Sequence, residues 1–243
     1  MFTANVLRRC PSAIGSACST HCGSVRSPFL AICFLQMRSP VVSAKGRFRT
    51  TAATRDDEGV STASGDPLAE LTVYTIGHST RSSEEFIGLL EASRIEMLVD
   101  VRRMPGSRRL PQFDSATLSR SLSAREIDYC WISQLGGRRR PQADSPNTGW
   151  RHPAFRAYAD HMVTDEFADG LFELLMLANG KRTVMMCAEV LWWRCHRRLI
   201  ADALVVLGVR VMHIFNEGKQ ELHQLAPPAH LVDGELCYGS GIT

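Results

Sequence analysis

Five short apolar runs, separated by segments with helical or turn character, constrain the fold of this chain more than any other feature. The first run is rich in β-branched and aromatic residues. The second is almost continuously apolar, as expected of a strand that is buried on both faces of a sheet. The five runs are residues 71–77, 95–101, 127–132, 182–187 and 209–215. The alternation predicts a single α/β domain with about five mostly parallel strands, helices on both faces, and a Rossmann-like or rhodanese-like layout.

The helical segments between these runs carry start and stop signals. Ser82 followed by Glu85 has the spacing of a capping box, and Asp114 is a residue type favoured at helix N-termini. Residues 155–178 are typical of one or two helices, and Gly208 follows a helical segment over residues 196–207. These signals support the strand and helix order deduced from the apolar runs.

Charge separates the first 55 residues from the rest of the chain. They hold eight of the 28 basic residues and none of the 25 acidic ones. This composition is typical of an organelle transit peptide, here favouring the mitochondrion, with a plastid as an alternative. A plain disordered tail or an upstream translation start would leave a cytoplasmic protein. Without this segment the chain has a net charge of −5, so nucleic-acid binding would need local basic clusters.

The remaining boundaries follow from composition. Residues 56–70 are acidic and small and predict a linker, residues 71–223 form the predicted domain, and residues 224–243 predict an irregular C-terminal tail. No apolar run approaches the ~20 residues needed to cross a bilayer. The cysteines lack the dense, regular spacing of a disulfide framework. The oligomeric state stays open.

Polar and reactive residues follow the ends of the predicted strands. Right-handed crossovers place the carboxyl ends of parallel strands at one edge of a sheet. Ligands of open α/β sheets bind beyond that edge, so we expect these residues to share one site. They are Gly77, His78 and Ser79, then Asp100, Arg102, Arg103, Arg108 and Arg109, then Gly136, Gly137 and Arg138, and finally Cys187, Glu189, Cys195, His196 and Arg197.

Five sequence blocks resemble, in order, the domain-of-unknown-function 488 family, and they cover residues 71–215. The blocks are YTIGHS, LVDVRRMPGSRRLPQF, LGGRRR, FRAYADHM and CAEVLWWRCHRRLIADAL. The resemblance implies a small α/β domain and no established reaction. The positions that it marks as shared are Gly77, His78, Ser79, Asp100, Arg102, Pro105, Gly136, Gly137, Tyr158, Cys187, Glu189, Cys195, His196 and Arg197.

Each group of polar residues has a functional and a structural interpretation. His78 and Glu189 are acid/base candidates, although His78 after Gly77 is also compatible with a tight turn. Asp100 either orients Arg102 toward a phosphate or carboxylate, or forms a structural ion pair with it. Seven arginines in two loops, at 102, 103, 108, 109 and 138–140, favour an anionic ligand.

The segment from Cys187 to Arg197 allows three chemistries. Cys187 is a candidate thiol nucleophile, but the arginine spacing of rhodanese-like enzymes is missing. Cys187, Cys195 and His196 have ligand types suited to zinc, without a paired C-x-x-C motif. In the interpretation that we favour, no metal or other cofactor is needed and Glu189 performs proton transfer. The tryptophans at 192 and 193 are compatible with core packing, which is the simpler interpretation, or with stacking on a planar base.

The sequence therefore predicts an enzyme-like domain that binds a nucleotide-, nucleobase- or nucleic-acid-type ligand, with the reaction class open. The expected partner is a phosphate-bearing small molecule or a nucleic acid. The competing hypothesis is a binding module without turnover.

Overall fold

Six strands form the central sheet of the described residues, which in this computed structural model are Leu68 and residues 71–239. Their spatial order is β3-β2-β4-β1-β5-β6; the first five are parallel, and β6 pairs antiparallel with β5. The strands are β1 Thr72–Gly77, β2 Met97–Asp100, β3 Asp128–Trp131, β4 Thr183–Cys187, β5 Arg210–Asn216 and β6 Lys219–Leu222. The prediction of an α/β domain with a mostly parallel sheet is confirmed, and the sequence did not predict β6.

Five α-helices in the described residues cover both faces of this sheet. Helices α1 (Ser83–Ala92) and α2 (Ser115–Ser123) pack on one face. Helices α3 (Pro153–His161), α4 (Asp165–Gly180) and α5 (Arg197–Val206) pack on the other. The strands serve both cores because successive side chains point to opposite faces, so Val99 and Leu98 of β2 belong to different clusters.

The local helix signals act as the sequence indicated. The Ser82 hydroxyl accepts from the Glu85 amide while the Glu85 side chain accepts from the Ser82 amide, which is the predicted capping box. The Asp114 carboxylate accepts from the Ala116 amide at the start of α2. Each contact satisfies a backbone donor that the first helical turn leaves unpaired.

The path of the chain reverses direction at β4. From β1 the chain runs through α1 to β2 and through α2 to β3, always toward one edge of the sheet. It then returns through α3 and α4 to β4, which lies between β2 and β1, and continues through α5 to β5. Helix α5, which follows β4, therefore covers one face of the sheet. Helices α1 and α2, which follow the neighbouring strands β1 and β2, cover the other face. Such a switch opens a crevice at the carboxyl ends of the strands.

The prediction of an irregular tail after residue 223 is wrong for its described part. Strands β7 (His230–Val232) and β8 (Glu235–Cys237) form a hairpin. Asp233 and Gly234 at its turn both have positive φ, as the two central residues of a type I′ turn require. Burial of Leu236 and Tyr238 against the main core holds the hairpin in place.

The N-terminal predictions fall almost entirely outside the described residues. The predicted transit peptide (residues 1–55) lies outside them, and of the predicted linker (56–70) only Leu68 is described, buried against the core. Within the part of the chain that the structure describes, none of the helices combines the length and the apolar character needed to cross a membrane.

Candidate functional site

A cleft of about 810 Å³ opens at the carboxyl ends of the strands, beside the end of β4. Its position is that of the crevice created by the reversal of the chain, and its volume falls within the ~300–1,000 Å³ of small-molecule sites. The lining residues are Ser79, Arg102, Arg103, Met104, Gly106, Gly137, Arg138, His152, Ala154, Phe155, Tyr158, Cys187, Ala188, Glu189, Val190, Trp193, Arg194, Cys195 and His196.

The walls of the cleft are strongly cationic. Of the described residues that line it, Arg102, Arg103, Arg138 and Arg194 are basic, and Glu189 is the one acidic residue. The sequence beyond residue 55 is net acidic, so this cluster is a local exception. A concave surface lined by one sign of charge concentrates ligands of the opposite sign. The cleft is therefore suited to an anionic ligand.

Arg102 is fixed in orientation by the buried carboxylate of Asp100. Its Nε lies 2.8 and 3.0 Å from the two carboxylate oxygens, and its Nη2 lies 2.5 Å from Oδ2. The same carboxylate accepts from the Arg102 amide and from the Tyr129 hydroxyl. Arg102 Nη1 donates to the carbonyl of Phe113 at 2.8 Å. Asp100 and Arg102 therefore form a buried structural ion pair, and Arg102 also lines the cleft. The pair thus has features of both interpretations of the sequence, the structural ion pair and the oriented arginine.

His78 stands behind Arg102. It is 3% exposed, stacks on Phe113 with ring centroids 4.1 Å apart, and is not one of the residues lining the cleft. Burial, reinforced by the Arg102 charge, lowers the pKa of His78 to about 4. A neutral ring donates from Nδ1 to the Ser79 carbonyl at 2.8 Å, which leaves the Nε2 lone pair facing Arg102 Nη1 at 3.5 Å. This geometry favours a role in positioning Arg102 over direct proton transfer to a ligand.

Glu189 is exposed on the cleft wall. Its Oε1 accepts from the Leu191 amide at 3.3 Å. The backbone beneath it lies against Gly77, where a Cβ would come 2.0 Å from the Glu189 carbonyl oxygen. Gly77 therefore permits the close approach of the end of β1 to the loop after β4. This contact places the Glu189 backbone against the last residue of β1.

Two thiols and an imidazole meet at the floor of the cleft. The Nδ1 atom of His196 lies 3.6 Å from Cys195 Sγ and 3.9 Å from Cys187 Sγ. Its Nε2 lies 2.9 Å from the Val101 carbonyl oxygen. Gly137 packs directly on this ring, because a Cβ there would lie 2.8 Å from Nδ1. The segment between β4 and α5 thus brings Cys187 and Cys195, eight positions apart in sequence, into one cluster.

The two thiols differ in acidity. A hydrogen bond with Cys195, together with burial, raises the pKa of the Cys187 thiol. Burial alone would also raise the pKa of Cys195, but the Cys187 thiol, His196 and Arg197 outweigh it and hold that pKa well below its usual range. The surroundings therefore favour ionisation of Cys195 over that of Cys187.

Arg197 lies beneath this cluster and begins a buried chain of hydrogen bonds. It is 1% exposed, and its Nη1 donates to the Thr75 hydroxyl at 3.1 Å. That hydroxyl lies 2.8 Å from His213 Nδ1. The chain continues from His213 Nε2 to His223 Nδ1 at 3.0 Å, and from His223 Nε2 to the Asp202 carboxylate at 2.8 Å.

The two ends of this chain have fixed directions. A carboxylate only accepts, so the Nε2 of His223 donates to Asp202. At the other end the Arg197 guanidinium donates to the Thr75 hydroxyl. Burial lowers the pKa of His213 to about 2 and keeps that ring neutral. The chain therefore links Arg197 to the Asp202 carboxylate through the Thr75 hydroxyl and two imidazole rings.

The structure divides the predicted site residues into two groups. Ten of them line the cleft: Ser79, Arg102, Arg103, Gly137, Arg138, Tyr158, Cys187, Glu189, Cys195 and His196. The other seven do not: Gly77, His78, Asp100, Arg108, Arg109, Gly136 and Arg197. Arg108 and Arg109 are exposed outside the cleft, whereas Gly136 packs on the backbone of Arg103. Tyr158 donates to the Leu135 carbonyl at 2.7 Å, so its hydroxyl is committed to the protein.

Sequence reasoning missed several residues of the cleft wall. Trp193, for which core packing was the simpler interpretation, is 41% exposed and lines the cleft beside Arg194. Its neighbour Trp192 is partly buried and stacks on His213 with ring centroids 4.3 Å apart. Met104, His152 and Phe155 also line the cleft. No periodicity distinguishes these side chains, because they lie on loops and on the first turn of α3.

Fold and cleft together define an α/β domain with a cationic site at the switch point of its sheet. The sequence model of the family described as Domain of unknown function DUF488 matches residues 82–204, just over half of the chain. The chain therefore belongs to this family, which confirms the resemblance seen in the sequence. No curated protein and no solved structure matched the chain.

Proposed function

We propose that the domain is an enzyme that binds a nucleotide- or nucleobase-type anion in the cleft beside β4. The observation that supports this most strongly is the charge of the cleft wall. Although Asp100 compensates Arg102, three further arginines accompany a single carboxylate among the described lining residues. Guanidinium groups present paired donors that match phosphate and carboxylate oxygens. An anionic group of the substrate is therefore held by arginine side chains.

The mouth of the cleft favours a planar ring beside the anionic group. The exposed indole of Trp193 lines the cleft next in sequence to Arg194, and the exposed Met104 lines it next in sequence to Arg103. Stacking of a base on an aromatic side chain contributes about 1–3 kcal/mol. A nucleotide satisfies both features, since its phosphate and its base can engage the arginines and the indole at once.

In this proposal Glu189 is the acid/base group, because it is the one carboxylate among the described residues of the wall and is exposed to the cleft. Arg102 and Arg138 bind the anion. Asp100 and His78 act through Arg102 as positioning residues, since both contact its guanidinium from behind the wall.

Calorimetric titration with AMP, ribose 5-phosphate and inorganic phosphate tests the binding step. AMP should bind most tightly, and Arg138→Gln and Arg194→Gln should each weaken it roughly tenfold or more, since a charge-assisted hydrogen bond contributes about 1.5–3 kcal/mol. Arg109→Gln is the matched control, because Arg109 is exposed outside the cleft. Equal affinities for all three variants would contradict the proposal.

The catalytic step is tested by screening the bound nucleotides for turnover. Glu189→Gln should retain binding and lower the rate by about 10²–10⁴-fold, the usual effect of losing a general acid or base. Binding of oligonucleotides without turnover, unaffected by Glu189→Gln, would instead identify a non-catalytic binding module.

A further inference from the structure

We infer that Cys187, Cys195 and His196 form a zinc site whose fourth coordination position opens into the cleft. The three ligand atoms, two Sγ and one Nδ1, all lie within 4.8 Å of one another. All three residues line the cleft. The inference rests on this geometry alone and does not depend on which anion the cleft binds.

The distances match those of a tetrahedral zinc centre. Zn–S bonds of about 2.3 Å and Zn–N bonds of about 2.0–2.1 Å place a sulfur and a nitrogen ligand about 3.6 Å apart. In the structure Cys195 Sγ and Cys187 Sγ lie 3.6 and 3.9 Å from the Nδ1 atom of His196. An ion can therefore be held between the three atoms with only small side-chain movements.

The tautomer of His196 presents the correct atom to a metal. The Val101 carbonyl can only accept a hydrogen bond, so the Nε2 atom 2.9 Å away carries the proton. In a neutral ring Nδ1 then carries the lone pair that a metal needs, and this atom faces both thiols. Metal-binding histidines characteristically donate their second ring N–H to a carbonyl or carboxylate in this way. Because Val101 follows β2 directly, the ring is anchored to the sheet.

The donor set selects the kind of metal. Two thiolates and an imidazole suit zinc, whereas magnesium, calcium and manganese prefer oxygen ligands. Three protein ligands with an open position distinguish catalytic zinc sites from structural ones, which have four. The open position faces the arginine-lined cleft, so it can accept a water molecule or a donor atom of the bound anion.

Gly137 leaves the space that this arrangement needs. A Cβ at this position would lie 2.8 Å from Nδ1 and 3.2 Å from Cγ of His196. A methyl group there would displace the ring from its present position without removing any ligand. Gly137→Ala therefore tests the position of the imidazole separately from its presence.

Metal content and zinc titration of the reduced full-length chain test the site. We expect one zinc per chain, and one equivalent of Co²⁺ added after chelation should give a thiolate charge-transfer band. Cys187→Ser and Cys195→Ser should each lower zinc affinity roughly hundredfold or more, and Gly137→Ala by about 10–100-fold, the range seen when the surroundings of a ligand are disturbed. Cys130→Ser is the matched control, since Cys130 lies outside the cluster and contacts Glu173.

A second measurement needs no variant and so does not depend on variant folding. Zinc should protect Cys187 and Cys195 of the full-length chain from alkylation while Cys130 keeps its rate, as read by mass spectrometry. Failure of the reduced chain to take up zinc, or alkylation of the pair at an unchanged rate with zinc present, would overturn the inference.

Titration of the chelator-treated chain with AMP separates this inference from the proposed function. Zinc uptake by a chain that binds no nucleotide would support the metal site and reject the anion cleft. Nucleotide binding by a chain that takes up no zinc would support the cleft and overturn the metal site.

Discussion

The buried pair of Asp100 and Arg102 should contribute far more to stability than an exposed pair of the same kind. The Asp100 side chain is fully buried and that of Arg102 is 7% exposed. Asp100→Asn would leave a buried guanidinium without its counter-charge, and the new amide would direct its N–H groups at Arg102 Nη2 or at the Tyr129 hydroxyl. Breaking such a pair from one side costs about 3–5 kcal/mol. That is a large part of the ~5–15 kcal/mol by which a domain is typically stable.

A double-mutant cycle isolates the interaction. Urea unfolding of the parent, Asp100→Asn, Arg102→Gln and the double variant, followed by circular dichroism, gives four free energies of unfolding. The double variant removes both charges together, so it should be about 2 kcal/mol more stable than the sum of the single losses predicts. Tyr129→Phe, which removes one neutral donor to the carboxylate, should cost about 1.5–3 kcal/mol.

The exposed pair of Arg125 and Glu91 supplies the matched control. Its contact of 2.8 Å equals the distance from Arg102 Nε to Asp100 Oδ1, but the two side chains are 52% and 43% exposed. Water screens such pairs, whose coupling is typically about 0–1 kcal/mol. A coupling energy for Asp100 and Arg102 no larger than that of the exposed pair would refute the reasoning, because burial would then have no effect on the interaction.

Two further predictions concern pH and close packing. The pKa of His78 is about 4 in the folded chain and 6.5 when exposed. Between these pH values the unfolded chain binds an extra proton, so the free energy of unfolding falls as the pH is lowered, by up to about 1.4 kcal/mol per pH unit. In urea unfolding from pH 7 to 4.5 the parent should lose more stability than His78→Gln, and equal losses would contradict the assignment. Gly77→Ala should destabilise the domain strongly, because its Cβ would overlap the loop after β4. Gly88→Ala, with open space around an exposed helical position, should stabilise it by about 1 kcal/mol. Thermal unfolding measures both variants, and a shift of the two midpoints in the same direction would argue against this contrast.

The parts of the fold that could be predicted are those with local causes. The capping box of Ser82 and Glu85 spans three residues, and the apolar runs of β1, β2 and β4 reflect burial on both faces. Such signals are present in a short stretch of chain and need no knowledge of distant partners. They were sufficient to establish the α/β class.

The parts that could not be predicted depend on distant pairing. All four residues of β6 are exposed, so no apolar pattern marks this strand, and backbone bonds to β5 create it. The order of the strands is likewise a property of crossovers. The hairpin of β7 and β8 is different, because Asp233-Gly234 between short strands is a recognised turn signal that the glycine-rich composition of the tail concealed.

The candidate site shows the same division. The expectation that residues following parallel strands share one site was correct for Cys187, Glu189 and Arg102, because the carboxyl ends of these strands lie at one edge of the sheet. It failed for Arg108 and Arg109, which belong to the same loop as Arg102 but are exposed outside the cleft, a few residues before the chain buries Phe113. Residue type and sequence proximity could not distinguish these arginines, since the direction of a long loop is set by its tertiary contacts.

The two buried arginines of the site affect the cleft in different ways. Arg102 is neutralised by Asp100 at contact distance, so its field largely cancels. Among the described residues no carboxylate contacts Arg197, which donates to the carbonyl oxygens of Glu189 and Val190 and to a hydroxyl. The carboxylate at the end of its hydrogen-bond chain is three side chains away. The floor of the cleft therefore keeps a positive potential, which attracts an anion from above, as the proposed function requires.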